Sequence, residues 1–354
     1  MWLESLRCQE QKGATSDSNP LYFFNTPQAG WLDSPLATGY KGDHLDLNDS
    51  NLIAMPVILN TFQKAVETGQ FLITAEVAPP KGGDPTHMLK MAECLQRRVH
   101  AVNVTDGSRA VLRMSSLAAS VILLQRGIEP ICQVACRDRN AIGLQADLMG
   151  AQALGIRNIL ALTGDPVKAG DHPTARPVFE VESVRLLQLI RKLNNGFDLN
   201  DKPLPDGATS LFTGAAVDPQ SDSWSGLQRR FERKLTAGAQ FFQSQLISDF
   251  DKLEKFMTQV AAGCNKPILA GIFLLKSAKN ALFIRRNVPG VHIPDAIITR
   301  LEQADDPLYE GMVIAAEQVR LAKDLCQGVH MMAVKREDLI PKILDLAGIK
   351  PLQD

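Results

Sequence analysis

From residue 58 onward the chain alternates eight times between a short, mostly apolar run and an amphipathic stretch. The runs cover residues 71–78, 101–106, 129–136, 158–165, 211–218, 240–248, 266–275 and 328–335. Runs of this length and character suit strands buried on both faces. The stretches between them read as helices over 85–98, 115–126, 140–154, 181–193, 225–237, 250–262, 277–287 with 306–326, and 336–346. In the last, Leu339, Ile340, Ile343, Leu344 and Leu346 recur at helical spacing. Asp84-Pro85, Ser115-Ser116 and Asp305-Asp306-Pro307 mark helix starts by their cap and first-turn chemistry.

Eight such units fit either a closed barrel or a doubly wound open sheet. The open sheet's first turn carries a glycine fingerprint for phosphate. Here the first run leads instead into Pro79-Pro80-Lys81-Gly82-Gly83. The expectation is therefore a (β/α)8 TIM barrel over residues 58–354, preceded by an irregular arm, 1–57. The arm is rich in Asn, Asp, Ser, Gly and Pro, yet it holds Trp2, Trp31, Tyr22, Tyr40, Phe23 and Phe24. Solvated tails seldom concentrate aromatics, which implies an arm laid on a surface rather than a free tail.

With a net charge of -1, the chain has no basic excess to neutralise a phosphate backbone, and nucleic-acid binding is not expected. Cys8, Cys94, Cys132, Cys136, Cys264 and Cys326 are scattered without metal-ligand spacing, as are His87, His100 and His330, so no metal site is assigned. Scattered thiols suit a reducing compartment, and no apolar run reaches the ~18 residues of a membrane helix, so the expected location is cytoplasmic.

Barrel chemistry gathers at the C-terminal ends of the strands, and polar residues collect there. They include Glu76, Thr105-Asp106-Gly107, Gln133, Thr163-Gly164-Asp165, Asp218, Gln243, Gln245 and Arg336. A carboxylate in an apolar strand, as at Glu76, is either an ion-pair partner or an acid held for proton transfer. Asp165 is either a cap for the next segment or a carboxylate facing a cofactor or a cationic intermediate. The cations Arg229, Arg230, Arg233 and Lys234 share one helix, as a solvated face or as an anchor for anionic groups.

These residues resemble the methylenetetrahydrofolate reductase family from about residue 70 to the C-terminus. The blocks that carry the resemblance are Thr74-Ala75-Glu76-Val77-Ala78-Pro79-Pro80, Val104-Thr105-Asp106-Gly107, Leu162-Thr163-Gly164-Asp165 and Lys234-Leu235-Thr236-Ala237-Gly238-Ala239 with Ser244-Gln245. Their order and spacing together are specific. The resemblance implies FAD at the C-terminal face and a ping-pong cycle. In it NAD(P)H reduces the flavin and methylenetetrahydrofolate then takes its place. Glu76 matches the general acid that opens the folate's bridging ring to an iminium, and Asp165 the carboxylate favouring that cation. Thr105, Asp106, Gly164, Asp165, Arg230, Arg233 and Lys234 fall at cofactor positions, and Gln245, Asn280 and Arg336 at substrate positions.

The chain also departs from the family. Gln133 and Asp218 stand where a better-known branch has histidines, Thr163 replaces an arginine before the Gly-Asp pair, and Met332 replaces an aromatic. Gln133, Thr163 and Asp218 are still assigned to the cofactor side. Some relatives in divergent branches receive electrons through partner subunits. A barrel that depends on such a partner, a non-catalytic folate-binding subunit and a homo-oligomer thus stay open beside the main reading.

Overall fold

The computed structural model describes residues 59–353 apart from Pro289; the expectation for the arm, residues 1–57, lies outside them. Eight strands close into a barrel in chain order: β1 (Leu72–Val77), β2 (Ala101–Val104), β3 (Pro130–Ala135), β4 (Asn158–Leu162), β5 (Phe212–Val217), β6 (Phe241–Leu246), β7 (Ile268–Phe273) and β8 (Gly328–Met332). Every pairing is parallel, and β8 returns to β1 with Leu72 opposite Gly328 and Thr74 opposite His330. Each strand falls inside one of the apolar runs, and the expected (β/α)8 barrel is the fold.

The helices are α1 (Thr61–Glu67), α2 (Thr86–Glu93), α3 (Ser116–Leu124), α4 (Ala141–Ala153), α5 (Ser183–Asn194), α6 (Trp224–Ala237), α7 (Phe250–Gln259), α8 (Ala278–Asn287), α9 (Asp295–Gln303), α10 (Pro307–Leu325) and α11 (Ile340–Leu346). Side-chain caps fix several starts. Ser115 accepts from Ala118 N at 3.2 Å, Asn140 from Gly143 N at 2.9 Å, and Asp306 from Leu308 N and Tyr309 N, with Pro307 in the first turn.

Two helices escape the periodicity. Helix α9 lies in the stretch between Pro289 and Asp306, where proline and glycine interrupt the pattern. It builds a satellite core of Leu275, Ile284, Ile293, Ile298, Leu301 and Ile314. Arg300 of α9 pins it to α10 through ion pairs with Glu310 and Glu317.

Helix α1 closes the N-terminal mouth. Strand residues alternate between faces, so outward side chains such as Ile73, Ala75 and Val77 meet the helices. Leu72, Ala101, Ile131, Leu160, Phe212, Phe241 and Leu269 turn inward as a bottom layer, and Phe62 and Ala65 of α1 pack into it. The Phe62 ring meets Phe241 edge-on at 5.1 Å between centroids and Phe212 at 6.1 Å. Gly214 gives Phe241 its room, because an added Cβ would stand 2.2 Å from that ring. The free N–H groups of α1 are met from across the barrel. Glu129 accepts from Thr61 N at 2.6 Å, from Phe62 N at 3.3 Å and from Asn158 Nδ2 at 2.8 Å. Burial nonetheless raises the Glu129 carboxyl above its ordinary range, against the pull of those donors.

Phe62 is fully buried. Phe62→Ala is expected to lower stability by about 3–5 kcal/mol through the cavity it leaves. Urea unfolding measures this, and an unchanged midpoint would show that α1 does not plug the barrel.

Candidate active site

Above the aromatic layer the interior turns polar. Thr74, Asn103, Gln133, Gln243 and His330 are all buried there. Thr74 Oγ1 lies 3.0 Å from His330 Nδ1 and accepts from Gln243 Nε2 at 3.1 Å; Asn103 Nδ2 lies 3.4 Å from the same His330 nitrogen. Apolar side chains would pack this layer as well or better if stability were its purpose, since buried polar groups are costly unless partnered.

Glu76 stands one inward position above Thr74. Its side chain is 25% exposed, and its Oε2 lies 3.8 Å from His330 Nε2. His330, to which the sequence assigns no role, is thus the direct neighbour of the candidate acid. No local signal identifies it, because the register between β1 and β8 brings the two together. Glu337 is a second unanticipated neighbour. It is buried and accepts from Lys335 N at 3.1 Å. Burial pushes its carboxyl up, the nearby charge of Glu76 adds to that rise, and His87 opposes it.

The other strand-end candidates fall at the same mouth, on two sides, while Arg230, Arg233 and Lys234 lie along the helix after β5. The cofactor candidates occupy β2 to β5 and the helix after β5. Thr105 is buried just past β2, and Gln133 is buried inside β3, short of the strand end. Asp106 ties β2 to β3: it accepts from Ala135 N at 2.8 Å and pairs with Arg139, which also holds Asp147 at 2.9 Å. Thr163 Oγ1 accepts from Ser183 N at the start of α5. Gly164 follows at φ +94°, where an added Cβ would come within 3.1 Å of Arg137 Cβ and 3.2 Å of Ala135 Cβ. Asp165 accepts from Arg109 N at 2.7 Å, which draws the loop after β2 against the loop after β4. Arg109 and Ala110 in that loop both take left-handed φ, at 58° and 55°, a conformation that costs side-chain-bearing residues about 1 kcal/mol or more each.

Farther round, burial raises the Asp218 carboxyl, opposed by the Gln220 N–H and the charge of Arg230. Arg230 donates to Ser221 Oγ at 3.1 Å, and buried Lys234 donates to Ala216 O at 2.9 Å. Arg233 is exposed and pairs with Glu182 at 2.6 Å.

The substrate candidates occupy β6 to β8. Gln245 is exposed on a bulge where β6 shifts register against β7. Ser244 makes the bulge: its hydroxyl accepts from Gly271 N at 2.8 Å and donates to Gln245 O at 2.6 Å. Asn280 Oδ1 accepts from Lys276 N at 3.1 Å at the head of α8. Arg336, just past β8, pairs with Asp338 at 3.0 Å. Among the described residues no group of three or more His, Cys, Asp or Glu could hold a metal, and no helix is long and apolar enough to cross a membrane. Burial pushes the Cys132 and Cys136 thiols to about 11 and about 12.

Fold and site together define a (β/α)8 barrel with an acid and a buried histidine at the mouth where barrel enzymes do their chemistry. The sequence model of the family Methylenetetrahydrofolate reductase matches residues 61–348, and the chain belongs to that family. It is 26% identical over 239 residues to Methylenetetrahydrofolate reductase 1 of Schizosaccharomyces pombe, which covers 65% of this chain and 37% of that protein. A probable methylenetetrahydrofolate reductase (NADPH) of Caenorhabditis elegans is 27% identical and likewise matched over only 36% of its length, so the chain spans little more than a third of these two relatives. The 5,10-methylenetetrahydrofolate reductase of Pectobacterium carotovorum subsp. carotovorum is 23% identical, with 80% of this chain and 92% of that protein covered. Among solved structures, an uncharacterized protein from Clostridium thermocellum that binds two copies of 5-methyl-5,6,7,8-tetrahydrofolic acid shares the fold, with a TM-score of 0.56, 13% identity and coverage of 80% of this chain and 96% of that one.

At Gly271 an added Cβ would stand 2.5 Å from Gln245 O and 2.8 Å from Ser244 O. Gly271→Ala is therefore expected to push β6 away from β7 and to cost about 1–3 kcal/mol, as overpacking does. Thermal unfolding reads the loss, and a variant as stable as the parent would show that the bulge is not fixed by this contact.

Proposed function

We propose that this barrel reduces 5,10-methylenetetrahydrofolate to 5-methyltetrahydrofolate, using bound FAD and NAD(P)H as the electron donor. The observation that carries the reading is the pairing of Glu76 with His330 at the open end of the barrel. The division of the mouth supports two flat ligands side by side, a cofactor over β2 to β5 and a folate over β6 to β1. Family membership supports the substrate, and the Clostridium thermocellum protein is a barrel of the same architecture that binds a reduced folate.

The cofactor-side residues fit a flavin dinucleotide. Gly164 takes φ +94° at a crowded strand end, where a side chain would press on Arg137 and Ala135, and so lets the loop that carries Asp165 lie close against β3. Thr105 offers a hydroxyl, and Arg230, Arg233 and Lys234 offer cations suited to a pyrophosphate. FAD, when bound, supplies the hydride chemistry.

The chain's own residues supply the proton and the electrostatics. Glu76 holds a proton on its carboxyl at the mouth and delivers it to the folate nitrogen that leaves the bridging ring. Its side chain is 25% exposed at the mouth, which leaves the carboxyl open to a ligand, and its Oε2 lies 3.8 Å from His330 Nε2. His330 faces the carboxylate that remains. Asp165 offsets the positive charge of the opened folate from the opposite side of the mouth. Gln245 and Asn280 present amides to the folate ring system, and Arg336 a guanidinium to its acidic tail.

Glu76→Gln keeps the shape and removes the transferable proton. Reduction of the flavin by NAD(P)H is expected to continue at close to the parental rate. Reoxidation by methylenetetrahydrofolate is expected to slow by about 10²–10⁴-fold, the usual contribution of a positioned general acid. Stopped-flow absorbance follows each half-reaction, and unchanged reoxidation would remove Glu76 from the mechanism.

A further inference from the structure

Gln243 is a polar side chain, 3% exposed, deep inside the barrel above the apolar cluster of Leu72, Ile131, Leu160, Phe212, Phe241 and Leu269. Its Nε2 donates to Thr74 Oγ1 at 3.1 Å, while its Oε1 is buried without a partner among the described residues. Asn103 repeats the pattern, with Nδ2 toward His330 Nδ1 and a buried Oδ1 that lacks a partner. Both amides thus offer their donor ends to one small network.

The direction of that network follows from counting protons. The Thr74 hydroxyl has one proton and two lone pairs; one lone pair accepts from Gln243, and the proton can then point at His330 Nδ1, 3.0 Å away. Asn103 Nδ2 offers a second donor to the same nitrogen. A neutral imidazole carries one N–H, and a nitrogen that accepts cannot hold it. The proton therefore sits on Nε2, the nitrogen 3.8 Å from Glu76 Oε2. Were the Gln243 carbonyl turned to Thr74 instead, the hydroxyl would point away and the chain would run in reverse, with the proton on Nδ1 and a bare lone pair toward Glu76.

We infer that Gln243 is a positioning residue: through the Thr74 hydroxyl it holds His330 in the Nε2–H tautomer, so that an N–H rather than a lone pair faces Glu76. The catalytic consequence rests on the reading of Glu76 as the acid. The tautomer itself does not, and the two are tested separately.

The test uses full-length protein labelled with ¹⁵N-histidine, with the His330 signals assigned by their loss in His330→Asn. Long-range ¹H–¹⁵N correlation at a pH where the ring is neutral is expected to show protonated Nε2 and bare Nδ1. Gln243→Met keeps the length and removes the donor. The ratio of Nε2–H to Nδ1–H is expected to fall by about 5-fold, the equivalent of one hydrogen bond of about 1 kcal/mol. Thr74→Val serves as the second variant, because it keeps the shape, removes the hydroxyl that links Gln243 to His330, and is expected to move His330 toward Nδ1–H. Protonated Nδ1 in the parent protein, or the same tautomer ratio in the parent and either folded variant, overturns the inference.

For the catalytic consequence, folate-driven reoxidation in each variant is expected to slow in proportion to the fall in its Nε2–H fraction, with KM unchanged. A shifted tautomer with unaltered reoxidation overturns the positioning role. Failure of the acid reading shows itself independently, as unaltered reoxidation in Glu76→Gln.

Discussion

The return of β8 to β1 is the constraint on which the site depends. It sets Thr74 opposite His330 across a separation of 256 residues, and so places the His330 imidazole under Glu76. Alternation along a strand has a period of two. A slip of one residue in either strand would turn His330 or Glu76 to the outer face and into the helices. The apolar bottom layer guards against that slip, since the same register seats Leu72 inward with Phe241, Phe212 and Phe62. The glycines serve the same closure. Gly214 makes space for the Phe241 ring and Gly271 lets the bulge of β6 approach β7.

The barrel was legible because parallel strands covered on both faces are written as apolar runs, and eight of them with intervening amphipathic stretches leave few architectures. Glu76 stood out for a local reason, as a carboxylate inside such a run. His330 and Glu337 did not, because their importance comes from neighbours far away in the chain. The sixth run shows the same limit within a few residues. Gln243 and Gln245 both stood out as polar residues near a strand end, yet Gln243 lies deep in the barrel and Gln245 on an exposed bulge. Helix α1 was invisible because only Phe62 and Ala65 of its seven residues are buried, too few to show a period. Helix α9 was hidden by the prolines and glycine at its entrance.

The mouth is arranged so that each half does what its side chains allow. Over β2 to β5, backbone and ion pairs dominate: Asp106 with Arg139, Asp165 with the Arg109 N–H, bare Gly164. That side is tied down and suits a ligand that stays. Over β6 to β1 the candidates are exposed or half-exposed, with Gln245 on its bulge, Arg336 beside Asp338, and Glu76 open to the mouth. That side is the more open to solvent. Glu76, the candidate acid, also lies on that side.

The central claim is that this barrel passes electrons from a nicotinamide through FAD to methylenetetrahydrofolate. The direct measurement is the anaerobic visible spectrum of the full-length protein reconstituted with FAD. The account predicts a bound flavin whose absorbance bleaches on addition of NADH or NADPH and returns on addition of methylenetetrahydrofolate, with 5-methyltetrahydrofolate formed in equal amount. A protein that takes up no FAD, or a bound flavin that neither nicotinamide bleaches, would contradict it.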